Sequence, residues 1–183
     1  KKILVIAAYK KDKGYFELLK VAEKLKNRNI KIECFGYGNK YKFNLIKIKK
    51  KINNISFNNF DPNLDKKIKK YDILLHLSKR EGLPVSVMQS LSKGLPVICY
   101  NIRGNNDLIR NKFNGYFIKS YKDVLSNIKE RDMLDKMNEY VPNNGGECDN
   151  IVFVPGKGNV NHYFDNIDIE SQLKNINEVD TKC

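Results

Sequence analysis

Two patterns alternate along the chain. Short apolar runs, of the kind that forms strands buried on both faces, are separated by stretches in which apolar residues recur at helical spacing. Ile3-Leu4-Val5-Ile6-Ala7-Ala8 reads as a first strand. Over 14–27 an amphipathic helix is expected, with Phe16, Leu18, Leu19, Ala22 and Leu25 on its apolar face and lysines between them. A second strand is expected over 31–36, closed by the tight loop Gly36-Tyr37-Gly38. Then follow a helix over 41–51, a strand over 55–57, a turn at Phe60-Asp61-Pro62-Asn63 and a short helix over 64–70. The pattern continues with a strand over 72–77, a helix over 84–93, a strand over 96–100, a helical turn over 107–110, a strand over 115–118 and a mainly helical stretch over 121–140.

Strands of buried type in strict alternation with helices predict an α/β fold: a Rossmann-like parallel sheet with helices on both faces. Ligands of such sheets bind beyond the carboxyl ends of the strands, so the loops after Ala8, Gly36, Ser78 and Asn101 matter most. The alternation breaks near Pro142. We therefore expect a Rossmann-like domain over 1–140 and a divergent tail over 141–183. In the tail, Pro142-Asn143-Asn144-Gly145-Gly146 reads as a linker, 151–158 as a strand and turn, and 167–179 as a final helix.

Composition narrows the picture. The 183 residues suffice for one domain with a real core, and 41% are hydrophobic. No apolar run approaches the roughly 18–20 residues that cross a bilayer. The apolar start is too short for a signal peptide, because charge resumes at Lys10; the expected location is the cytoplasm. Cys34, Cys99, Cys148 and Cys183 are scattered without a CxxC pair, which argues against a zinc site and a disulfide framework. The net charge of +13 admits nucleic acid, anionic lipid or phosphorylated substrates as partners. Nucleic-acid signatures are missing and that partner is not expected, whereas the run Lys47-Ile48-Lys49-Lys50-Lys51 leaves peripheral membrane association open.

The chemistry is concentrated in Ser78-Lys79-Arg80-Glu81-Gly82-Leu83-Pro84-Val85-Ser86-Val87-Met88-Gln89, followed by Gly94-Leu95-Pro96-Val97-Ile98. Pro84 suits a first helical turn, Gly94 a helix end, and Gly82 a close approach of backbone to ligand. The free N–H groups of Leu83, Val85 and Ser86, with the helix dipole, would form an anion site suited to a diphosphate. Glu81 and Gln89 stand roughly 10–12 Å apart along the axis, the scale of a sugar and a ribose joined by that diphosphate. His76, inside an apolar strand, reads as a satisfied core residue rather than a base.

This stretch resembles the retaining GT-B glycosyltransferases of family 4, whose hallmark is Glu-Gly-Leu-Pro, a second acidic position, then Gly-Leu-Pro-Val-Ile. The likeness extends to Asn101-Ile102-Arg103-Gly104-Asn105-Asn106-Asp107-Leu108-Ile109, to 114–118, and upstream to Lys13-Gly14 and Tyr71-Asp72, covering roughly 2–140. Its form is that of the capsule and exopolysaccharide branch. The resemblance implies the donor-binding half of a GT-B fold. Glu81 would contact donor-sugar hydroxyls and Lys13 would neutralise the diphosphate, these two being the catalytic candidates. Gly82, Leu83, Pro84, Val85 and Gln89 would bind donor, and the loops carrying Gly36, Tyr37 and Phe60 would wall the base pocket. Two positions depart from the family: Gln89 stands where a second acid contacts the ribose, and Ala8 where an arginine joins Lys13. Lys10, Lys11 and Arg80 are the candidates to compensate.

The implied reaction moves a sugar from a nucleoside-diphosphate donor to a saccharide or lipid-linked acceptor with retention of configuration. It calls for no metal and no cofactor. An N-terminal acceptor half is expected to be needed for transfer, so this half alone should bind donor with little activity. The other readings are a non-catalytic nucleotide-sugar binding module and a basic surface-binding protein built on the same fold.

Overall fold

The computed structural model describes residues 1–49 and 51–129. The end of the helix expected over 121–140, the linker near Pro142, the strand over 151–158, His162, the helix over 167–179, Cys148 and Cys183 lie outside the described residues, as does Lys50.

Six strands form one parallel sheet: β1 (Lys2–Ile6), β2 (Lys31–Gly36), β3 (Ile55–Asn59), β4 (Ile73–His76), β5 (Val97–Tyr100) and β6 (Gly115–Ile118). Between them run α1 (Tyr15–Leu25), α2 (Asn39–Ile48), α3 (Val85–Ser92) and α4 (Asn105–Leu108), with α5 (Tyr121–Lys129) after β6. The strand order is β3-β2-β1-β4-β5-β6, and every pairing is parallel. The expected α/β architecture is therefore what the chain adopts. The order reverses between β1 and β4, and the carboxyl edge at this switch point is where sheets of this kind bind ligands.

Both faces of the sheet are covered. In β4 all of Ile73, Leu74, Leu75 and His76 are buried. Successive side chains of a strand point to opposite faces. Ile3, Val5, Ile32, Cys34, Ile73 and Leu75 thus join Leu18, Ala22 and Leu25 of α1, Leu45 of α2 and Val124 of α5 in one core. Leu4, Leu74 and Val97 point the other way and are equally buried, on the face where α3 packs against β4 and β5.

Several boundaries shift for physical reasons. β1 ends at Ile6 because the backbone of Ala7–Tyr9 turns out to meet the next strand: Tyr9 N–H donates to the Tyr37 carbonyl at 2.7 Å. The segment 64–70 is a 3-10 helix rather than an α-helix, with Leu64 and Ile68 buried and the rest mostly lysine and solvated. Phe16, expected on the apolar face of the first helix, is half exposed; the buried face is instead Tyr15, Leu18, Leu19, Val21, Ala22 and Leu25. Pro84 is the N-cap of α3, in extended conformation, not a residue of its first turn. Its carbonyl still opens the helix by accepting from Val87 and Met88. At the other end Gly94 takes a left-handed φ of 74°, and the N–H groups of Gly94 and Leu95 return to Leu91 and Ser90.

Gly36 shows how tightly the loops at the carboxyl edge are fitted. A Cβ on it would fall 2.0 Å from the Ala7 carbonyl oxygen, whereas a Cβ on Gly82 would meet nothing within 4 Å. Gly36→Ala is therefore expected to destabilise the domain by about 2 kcal/mol or more, through overpacking against backbone that cannot yield. Gly82→Ala should stay within about 0.5 kcal/mol of the parent. Urea unfolding midpoints of the two variants check both statements.

Candidate functional site

The crevice is held by a crossing of the two loops that border it. After β1 the chain makes a 3-10 turn at Lys11–Lys13 and enters α1 through Gly14, whose φ is 74°. A Cβ on Gly14 would lie 2.2 Å from the Leu77 carbonyl oxygen, so the two loops touch backbone to backbone. Lys79 N–H donates to the Asp12 carbonyl at 3.0 Å and laces them together. This contact brings two sequence-distant side chains into register: Lys13 Nζ donates to Glu81 Oε1 at 2.7 Å, with both side chains largely covered.

His76 completes the cluster from the end of β4. Its Nε2 lies 3.3 Å from Glu81 Oε1, an ion pair when the imidazole is protonated, but it is too poorly aligned to count as a formed hydrogen bond. The ring is 4% exposed and Nε2 has no other partner among the described residues. The expectation of a satisfied core histidine is thus corrected: His76 is buried, yet its polar atom faces the candidate carboxylate. Burial pushes the Glu81 carboxyl up, but the contacts from His76, Lys13 and Ser78 outweigh it and hold the group down at about 2. Glu81 is therefore a carboxylate at any physiological pH, an acceptor only.

Next to Glu81 the backbone opens. The N–H groups of Gly82, Leu83, Val85 and Ser86 have no hydrogen-bond partner among the described residues. Leu83 and Val85 are exposed, so these amides are accessible at the start of α3. The loop after β5 supports them from behind: Gly104, with φ of 85°, brings its Cα so close that a Cβ there would lie 2.5 Å from the Gly82 carbonyl oxygen. Gln89 sits half-buried in the middle of α3, and among the described residues no side-chain partner holds its carboxamide.

The remaining candidates lie along the same carboxyl edge. Gly36 packs under Ala7, and Tyr37 and Phe60 are exposed on the loops after β2 and β3. Tyr9 ties these loops to the crevice, and sequence reasoning missed it. Its buried hydroxyl donates to the Cys34 carbonyl at 3.1 Å and to the Asn58 carbonyl. Tyr15 OH donates to the Ala7 carbonyl at 2.6 Å. The only sequence signal for these two was a pair of tyrosines flanking a lysine-rich loop. Ala8, where the family pattern has an arginine, brings no charge, and Lys10, Lys11 and Arg80 are exposed without an ion-pair partner among the described residues.

A separate cleft of about 670 Å³ lies beside this cluster, lined by residues such as Glu17, Lys79, Tyr100, Ile102, Ser120 and Tyr121. Glu17 accepts from Tyr100 OH and is ion-paired with Lys79 Nζ, both at 2.8 Å. Neither Lys13 nor Glu81 lines it. Among the described residues no group of three or more His, Cys, Asp or Glu is placed to hold a metal ion, and no helix is long and apolar enough to cross a membrane.

A doubly wound parallel sheet with a cation–carboxylate pair at its switch point and open amides beside it defines a Rossmann-like domain. Residues 1–143 match the model of the glycosyl transferases group 1, and the chain belongs to that family. Over 72 residues it is 36% identical to a UDP-Gal:alpha-D-GlcNAc-diphosphoundecaprenol alpha-1,3-galactosyltransferase of Escherichia coli, covering 39% of this chain and 18% of that protein. Over 122 residues it is 30% identical to a poly(glycerol-phosphate) alpha-glucosyltransferase of Bacillus subtilis (strain 168), covering 60% of this chain and 18% of that protein. The fold is similar to that of HepE from Anabaena, solved with UDP and glucose, at a TM-score of 0.66 and 14% identity over 74% of this chain and 40% of that one. It is also similar to a glycosyltransferase from Rickettsia africae ESF-5, at a TM-score of 0.66 and 20% identity over 75% and 40% of the two chains. The chain thus spans less than a fifth of the length of these two sequence relatives.

The depressed Glu81 carboxyl makes a stability prediction. A carboxyl held below its ordinary value of about 4.5 adds stability that is complete above that value and disappears as pH falls toward 2. Allowing for solvent screening, its worth is roughly 1–2 kcal/mol. Glu81→Gln should therefore lose the part of the acid destabilisation that falls between pH 4.5 and 2, seen as a flatter dependence of the urea midpoint on pH in that window.

Proposed function

We propose that this chain is the donor-binding half of a retaining family 4 glycosyltransferase. It would pass a sugar from a nucleoside diphosphate to a saccharide or lipid-linked acceptor, in the manner of capsule and exopolysaccharide enzymes. The observation that carries the reading is the 2.7 Å contact of Lys13 with Glu81 at the switch point, beside the N–H groups of Gly82, Leu83, Val85 and Ser86, which have no partner among the described residues.

The chemistry requires a diphosphate to depart from an anomeric carbon that becomes transiently oxocarbenium-like. Amides at a helix start and a nearby ammonium stabilise the charge that collects on the leaving oxygens. A bound donor would draw Lys13 from Glu81 to the diphosphate. Glu81, kept anionic by its surroundings, would then accept hydrogen bonds from sugar hydroxyls and fix the ring. Gln89, about one turn along α3, would meet the ribose through its carboxamide, with a weaker contact than a carboxylate gives. Tyr37 and Phe60 would flank the base. Two sequence relatives are named as transferring galactose from UDP-Gal and as a glucosyltransferase, and HepE was solved with UDP and glucose, which supports a UDP-hexose as donor. The acceptor in the first of those names is lipid-linked. We place the protein in the cytoplasm, where nucleotide sugars would reach it.

The test is a thermal-shift series with UDP, GDP, UDP-glucose, UDP-galactose and UDP-GlcNAc. A ligand of the folded state raises the midpoint, by about 2.7 kcal/mol of added stability at a hundredfold excess over Kd. Lys13→Ala should weaken nucleoside-diphosphate binding by about 10–100-fold. Glu81→Gln should leave UDP binding nearly intact and remove the extra affinity for the sugar. No stabilisation by any of these compounds, or unchanged binding in both variants, would refute the reading. A non-catalytic module, the reading that Ala8 and Gln89 favour, would give the same shifts but no transfer once an acceptor half is present.

A further inference from the structure

The outer side of α2 presents an arrangement that the donor site does not use. In this helix only Leu45 is buried. Phe43, roughly opposite Leu45, and Ile46, one turn from Phe43 on its flank, are 58% and 39% exposed, and Ile48 at the helix end is 54% exposed. Lysines border these apolar groups. Lys47 Nζ lies 4.5 Å above the Phe43 ring, and Lys40 shares its edge of the helix, seven residues away. Lys51 is exposed just beyond the helix end. None of Lys40, Lys47 and Lys51 is ion-paired among the described residues. Between Glu33 and Asp61 the chain carries six lysines and no acidic residue, so this stretch of sequence is strongly basic.

From this we infer that the Phe43–Ile46 face of α2, with Lys40, Lys47 and Lys51, docks the protein on an anionic lipid surface. The pairing of charges and apolar groups selects the partner. A lipid interface rewards both: lysines reach anionic headgroups while their stems and the neighbouring phenyl and isoleucyl groups enter the acyl boundary. Phosphates of a nucleic acid would satisfy the lysines but leave Ile46 and Ile48 in water. A protein partner would bury the apolar groups, but lysine is depleted at such interfaces. The contact uses neither Lys13 nor Glu81, and its apolar groups Phe43 and Ile46 lie beyond the first turn of α2.

Flotation of the full chain with vesicles of phosphatidylglycerol and phosphatidylcholine tests the inference, with phosphatidylcholine alone as the reference. Binding to the anionic vesicles should fall as salt is raised. It should drop by about tenfold or more in Lys40→Glu/Lys47→Glu, each lysine near such a surface being worth about a factor of five, and also fall clearly in Phe43→Ser/Ile46→Ser. Lys66→Glu/Lys69→Glu, with the same change in net charge on the exposed 3-10 segment, should bind nearly as well as the parent. All three pairs change exposed side chains, and an unchanged melting midpoint confirms folding. Three results would overturn the inference: no binding to anionic vesicles, equal losses in the control pair and the Lys40/Lys47 pair, or full binding in the Phe43/Ile46 pair. Self-association or oligonucleotide binding abolished by Phe43→Ser/Ile46→Ser, with vesicle binding unaffected, would overturn it as well.

Discussion

Everything at the carboxyl edge of the sheet depends on the crossing of the loops after β1 and β4. Gly14 touches the backbone of Leu77 there, and Asp12 accepts from Lys79. A parallel sheet with reversed strand order opens a crevice at this point but does not by itself place a cation beside a carboxylate. Backbone contact does that. Two side chains 68 residues apart in sequence meet because the loops carrying them cannot separate without breaking the lacing bond and exposing a glycine fitted against a carbonyl. The Lys13–Glu81 pair therefore inherits its geometry from backbone, which varies less than long side chains do.

A second set of contacts fixes the first loop from the other side. Tyr9 reaches across β2 to β3, and Tyr15 holds the Ala7 carbonyl. Their rings lie 5.1 Å apart, and each meets Phe57 edge-on. Buried tyrosines of this kind pair large apolar area with a satisfied hydroxyl. The lysine-rich loop between them is thus anchored at both ends although its own side chains are solvated. That explains how a segment reading as mostly charge can still hold Lys13 in a defined place.

The strand–helix alternation was legible because the central strands are buried on both faces and so carry continuous apolar runs. Ile73-Leu74-Leu75 is the clearest case. Lys31–Gly36 and Gly115–Ile118 lie where the pattern places them. The Glu81 to Gln89 segment was legible because cap and breaker residues, Gly82, Pro84 and Gly94, punctuate it. Other features were not. Phe16 obeys helical spacing as well as Leu18 does, and only the tertiary arrangement of α1 on the sheet decides that Tyr15 and Val21 go inside instead. The role of His76 was invisible because alternation gives the face of a strand residue, not what waits at the strand's end. Tyr9 was passed over because a hydroxyl's partner two strands away leaves no trace in local spacing. The residues that could be read are those whose task is local; those that were missed act across loops.

The support that Gly104 gives to Gly82 has a consequence for how such a domain can diversify. The open amides rest on a neighbouring segment, after β5, that contributes no side chain to them. Sequence drift in that segment would tilt the open amides without changing Gly82, Lys13 or Glu81 themselves. Selectivity could then be retuned from outside the site, as a lens is refocused by moving its mount, while Lys13 and Glu81 stay as they are.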